Sequence, residues 1–148
     1  MITPIQFYVA GVPKPSGSKR GFFIKSINRV VITDANKNSK DWKQDVKEEA
    51  IKHAPGVKLL ECPLRVSLEF FMTRPKSHYR SGKNAHLLKD DAPAFPKSKP
   101  DVLKLARGVE DAITGIIWLD DSQIVTELLT KRYADKPGVQ VNIHEEAL

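Results

Sequence analysis

The sequence predicts a single α+β domain, residues 1–148, in which two main helices pack on a mixed or antiparallel sheet. Three observations carry this. At 148 residues and 41% hydrophobic content, the chain is long enough for one real core and too short for two. Three segments, near the start, middle and end, alternate apolar and polar residues, the period of a half-buried strand. Two others repeat apolar residues every three or four positions, the period of an amphipathic helix.

In chain order, Ile5, Phe7 and Val9 alternate with Gln6 and Tyr8 and predict a first strand, broken between Gly11 and Gly17. The loop from Pro13 to Gly21 mixes turn formers with Lys14, Lys19 and Arg20, so its charges are available to phosphates; a plain solvated loop fits the same residues. Phe22 to Thr33 reads as a hairpin or two short strands, closed by a turn from Asp34 to Ser39. From Lys40 the period becomes helical: Trp42, Val46, Ala50 and His53 share a face, Ser39 is a candidate cap and Pro55-Gly56 a stop. Trp42 reads as a core anchor and His53 as a helix-end residue rather than a ligand. Leu64, Val66, Leu68 and Phe70 alternate with Arg65, Ser67 and Glu69, the clearest strand and an expected central one.

Residues 74–99 hold seven basic residues against Asp90 and Asp91, with prolines at 75, 93 and 96. So long a connection without periodicity is functional or disordered. A mobile basic arm that grips nucleic-acid backbone through Lys76, Arg80, Lys83, Lys97 and Lys99 is the expectation, with His78 and Tyr79 able to stack on exposed bases. An unstructured tether is the bland alternative. Gln123 to Tyr133 and the alternating Val139, Val141 and Ile143 complete the strands and are expected to pair as antiparallel neighbours.

Between arm and final strands, Val102, Leu105, Val109, Ala112, Ile113 and Ile116 form an apolar stripe on a helix expected to begin at Val102 and stop at Gly115. Asp101 stands at its mouth, and Asp120 and Asp121 follow it. Hard carboxylate oxygens from separate elements suit Mg²⁺, which binds through one or two protein carboxylates, water and phosphate. Such an ion can activate water and neutralise charge on a phosphodiester. From spacing alone, a helix cap at Asp101 and a polar turn at Asp120-Asp121 is the simpler reading.

The residues themselves add a resemblance. Lys99-Pro100-Asp101, Asp111-Ala112-Ile113-Thr114-Gly115 and Trp118-Leu119-Asp120-Asp121-Ser122-Gln123-Ile124-Val125 resemble the signature of the RusA family of Holliday junction resolvases. The likeness continues through Lys131-Arg132-Tyr133 and Pro137-Gly138-Val139, reaches back to Pro13-Lys14, and covers most of the chain. It implies a RusA-like fold and a Mg²⁺-dependent, homodimeric endonuclease cutting four-way DNA junctions in recombination and repair. Asp101, Asp120 and Asp121 would then be both catalytic and metal-binding, with Asp121 matching the aspartate of the acidic pair. The family's helix lysine falls on Arg107, with Lys104 as a possible substitute; an arginine does not replace a lysine freely in a tight site. Where the family has a second aspartate this chain has Leu103, so a catalytically impaired branched-DNA-binding protein is the alternative function.

Twenty-four basic against eighteen acidic residues give a net charge of +6 and a pI near 9.4, which suits a polyanionic partner. A basic surface that merely aids solubility, in a small interaction domain, is the bland alternative. Cys62 is the only cysteine, so neither an intrachain disulfide nor a cysteine-rich zinc site can form. No glycine-rich phosphate loop, nucleophile elbow or dinucleotide fingerprint is present, and no organic cofactor is expected. Without an export signal or a membrane-length apolar run, the expected location is cytoplasmic.

Overall fold

The computed structural model describes residues 1–16, 19–24, 29–34 and 39–148. Among the described residues, six strands and two α-helices run in the order β1 (Ile5–Ala10), β2 (Lys19–Ile24), β3 (Arg29–Asp34), α1 (Ser39–His53), β4 (Leu64–Met72), α2 (Val102–Ile113), β5 (Ile124–Tyr133) and β6 (Gly138–Glu145). The fold is the expected α+β class. A four-stranded mixed sheet has the order β1-β6-β4-β5, while β2 and β3 form a separate antiparallel ladder from Lys19↔Asp34 to Ile24↔Arg29. Of the turns expected beside that ladder, 25–28 and 35–38 lie outside the described residues.

Alternation sets which face of the sheet is core. In register, Phe7 faces Val141, which faces Leu68; Val9 faces Val139, which faces Phe70; and Ile143 faces Val66. All of these are buried, forming continuous apolar rows across three strands. On α2, Leu105, Val109, Ala112 and Ile113 are buried against this sheet, and Trp42, Val46 and Ala50 bring α1 into the same core. Each large side chain so buried contributes roughly 1.5–3 kcal/mol before conformational entropy is counted. Trp42 is thus a core anchor, and Cys62 packs partly buried against the cluster.

The expected pairing of β5 with β6 is incorrect. β6 lies between β1 and β4, antiparallel to both, and β5 instead pairs in parallel with β4, Val66 opposite Glu127 and Leu68 opposite Leu129. The reason is connection length. Parallel strands need a long crossover, and the arm plus α2 supply one between β4 and β5. β5 is therefore an edge strand.

α2 begins and ends near the expected residues, with Asp101 as the N-cap residue and Gly115 at φ 87°, the left-handed region glycine enters readily. Thr114 Oγ1 donates to Glu110 O at 2.8 Å, and Trp118 Nε1 donates to Thr114 Oγ1 at 2.9 Å, closing the helix end. Ile116 lies past this stop, in the turn, rather than on the helix. His53 ends α1 with Nδ1 2.9 Å from Glu49 O and its ring stacked on Phe7.

Candidate functional site

Direction decides which acidic groups meet. Pro100 at the start of α2 receives Lys131 Nζ from late β5 on its carbonyl at 2.8 Å, while Glu110 near the helix end lines one groove with Glu127 of early β5. β5 therefore runs antiparallel to α2, and Asp121, which precedes β5, lies beside the C-terminal half of the helix. Asp101 is nine residues before Glu110, about 13 Å along a helix rising ~1.5 Å per residue. Within one chain, Asp101 and Asp121 belong to opposite ends of α2. Asp101 is exposed and its side chain makes no capping hydrogen bond.

The carboxylates that do converge are Glu110, Asp121 and Glu127, which line a groove of about 320 Å³ with Ile124, Val125 and Thr126. Burial, the hydrogen bond and charge of Glu127, and then the charges of Asp121 and Asp111 push Glu110 up to about 9. Burial, followed by Asp120 and then Asp111, raises Asp121 above the ordinary carboxylate range. Glu110 shares a helix face with Leu103, seven residues earlier, but stands two turns along the helix from it, so spacing alone argues against a site role. Glu127 carried no sequence signal.

The two aspartates of the acidic pair are not equivalent. Asp120 caps the short turn Asp121–Gln123: its Oδ1 accepts Ser122 N–H at 2.8 Å, and Gln123 Oε1 accepts Asp120 N–H at 2.8 Å. The Ser122 amide holds Asp120 below the usual carboxylate range. Gln123 Nε2 donates to Leu60 O and Cys62 O, both at 3.0 Å, which pins the turn to the segment before β4. Asp120 thus fixes the loop while Asp121 presents its carboxylate to the groove.

Arg107 and Lys104 are exposed on the N-terminal half of α2, with Arg107 one turn from Glu110 and on the Leu103 side. Lys14 lies in the loop that crosses α2, where Ser16 N–H reaches Lys104 O at 3.0 Å; a Cβ on Gly108 would stand 3.3 Å from Lys14 O. Lys19 and Arg20 open β2, and their side chains lie outside the described residues.

The arm folds on itself. Tyr79 bridges Leu88 in antiparallel fashion, and Arg80 pairs with Asp90 at 3.1 Å. At its base, Arg74 sits 4.2 Å over the Tyr133 ring and donates to Pro93 O at 2.7 Å, while His78 meets the same ring edge-on. His78 is thereby occupied within the fold. Lys76, Arg80, Lys83, Lys97 and Lys99 all remain exposed.

The chemistry of the donor set suits a hard divalent cation. Among the described residues no group of three or more histidine, cysteine or acidic side chains is placed to hold a metal ion. Mg²⁺ needs no such group, because one or two carboxylates and several waters complete its shell. Also among the described residues, no helix is long and apolar enough to cross a membrane.

Residues 13–144 match the profile of Endodeoxyribonuclease RusA. A relative from Bacillus subtilis (strain 168), "Uncharacterized protein YqaN", is 33% identical over 141 residues, spanning 95% of this chain and 96% of the relative.

Proposed function

Because the chain belongs to the RusA endodeoxyribonuclease family, we propose that it is a structure-specific endonuclease that hydrolyses phosphodiesters of four-way DNA junctions in recombination and repair, using Mg²⁺ and acting as a homodimer. The observation that carries this reading is the convergence of Asp121, Glu110 and Glu127 on one open groove of a basic protein. Asp121, with Glu127 beside it, would hold the ion together with water and phosphate, and the ion would supply Lewis acidity toward a phosphodiester oxygen and acidify water. Asp120 fixes the turn that aims Asp121. Arg107, with Lys104 a turn earlier, offers positive charge toward the phosphate beside the groove, and the exposed cations of the arm hold the DNA backbone. Val125 and Leu128 of β5 are more than half exposed, giving apolar surface that a partner subunit would cover. A two-fold dimer matches a two-fold junction.

Leu103 favours no impairment in this arrangement, because it stands seven residues from Glu110, about 10 Å along the helix. The carboxylates of the groove do not depend on a ligand at that position. Labelled four-way junction incubated with the protein, with Mg²⁺ and with EDTA, tests the proposal. Paired nicks that require Mg²⁺ are expected; tight junction binding with no cut at any Mg²⁺ concentration would leave only the binding-protein alternative.

A further inference from the structure

Asp121 also borders a second cavity, of about 460 Å³, lined by Lys43, Lys47, Asp111, Thr114, Asp120 and Asp121. Two ammonium groups from α1 thus share one cavity with three carboxylates from α2 and the turn before β5. Lys43 and Lys47 are four residues apart and project from the same side of their helix. The first is held in place: Lys43 Nζ lies 3.6 Å from Asp111 Oδ2 and donates to Ser16 Oγ at 3.2 Å, with Ser16 fully buried. Lys47 stands one turn further along and is exposed. Thr114 adds no free hydroxyl, because its proton goes to Glu110 O and its oxygen receives Trp118 Nε1.

The lysines resolve an electrostatic difficulty. A DNA phosphate brought to Asp121 meets several carboxylates, and a bound cation offsets only part of that repulsion. Ammonium groups on the far wall of the same cavity attract the phosphate without competing for the ion, and lysine serves phosphate as a compact point charge. We propose that Lys43 and Lys47 form the phosphate-holding wall of this nuclease site, binding a backbone phosphate of the strand to be cut. The assignment rests on the nuclease reading above and adds residues that neither the acidic turn nor α2 supplies.

The test separates binding from chemistry. Junction affinity is measured against salt in Ca²⁺, where binding is read without relying on cleavage, for the parent, Lys47→Gln, Lys43→Gln and Lys43→Arg. Lys136→Gln, on the β5–β6 turn, serves as the control. Removing one lysine–phosphate pair should lower the slope of log K against log salt by about 0.9. Lys47→Gln and Lys43→Gln are each expected to show this fall, and Lys43→Arg to restore the parent slope. In Mg²⁺, saturating junction should be cut by Lys47→Gln at least about tenfold more slowly than by the parent, as for loss of one charge-stabilising donor. Lys47→Gln matching Lys136→Gln in slope and cleavage would overturn the assignment, as would a parent that binds no junction. A parent that binds with a lysine-dependent slope but never cuts would support the phosphate wall while refuting the nuclease reading.

Discussion

Replacing Glu110 by glutamine should make the protein more stable at neutral pH, and the size of the gain follows from the groove. Burial first, and Glu127 second, raise this carboxyl from 4.5 to about 9, so the folded protein retains a proton that the unfolded chain releases. Stability from this group is complete below pH 4.5 and declines as pH rises toward about 9, because the folded state then binds more protons than the unfolded one. Undiscounted, the loss at pH 7 would approach ~3 kcal/mol. Glu110 is partly open to water, so screening reduces this to about 1–2 kcal/mol. Glutamine keeps the shape and can donate to the Glu127 carboxylate as the protonated acid does. In EDTA, Glu110→Gln should therefore melt roughly 3–6 °C above the parent at pH 7, given about 2–4 °C per kcal/mol for a chain this long. The gain should vanish near pH 4. Thermal unfolding of both proteins across pH 4–9 reads the difference directly, and a difference that stays constant with pH would refute the reasoning.

Three further outcomes are expected. Gln123→Ala removes the partner of the Asp120 amide and the side-chain donor to Cys62 O, leaving Leu60 O with the Leu119 amide alone, which should cost about 1–3 kcal/mol by denaturant unfolding and slow junction cleavage, since Asp121 loses its support. Leu103→Asp, at a side chain 66% exposed and distant from Glu110, should change cleavage less than about tenfold, or 1.36 kcal/mol in barrier; a larger gain in a Mg²⁺ titration would show that the missing family aspartate limits this enzyme. Neutralising Arg80, Lys83, Lys97 and Lys99 together should flatten the salt dependence of junction binding by up to about four units, and an unchanged slope would remove the arm from the DNA surface.

The fold was legible wherever one segment carried its own period. Leu64 to Phe70 and Val102 to Ile113 each declare their type and buried face by spacing alone. Strand pairing was not legible, because β5 and β6 follow one another across a Pro-Gly turn and imitate a hairpin. Nothing local records that β4 accepts both of them as neighbours. The site divided in the same way. Asp121 stands in a recognisable motif, whereas Glu110 and Glu127 meet only because β5 returns along α2. Lys43 and Lys47 come to share a cavity with Asp121 only through the packing of α1. The basic character of residues 74–99 was plain from composition; its attachment to Tyr133 through Arg74 was not, since that contact spans the chain from one end of β4 to the end of β5.

That attachment makes β5 a ruler. The acidic turn immediately precedes its first residue and the Arg74–Tyr133 anchor stands at its last, nine steps further and about 30 Å in extended backbone. One turn of B-DNA is about 34 Å. A duplex lying along the strand with a phosphate at Asp121 would therefore reach the root of the arm just short of one helical turn further on. The hydrogen bonds of β5 to β4 keep that length fixed. Acidic turn and handhold would thus be held at a fixed spacing close to the helical repeat of the substrate, by a strand that also contributes Glu127 to the groove.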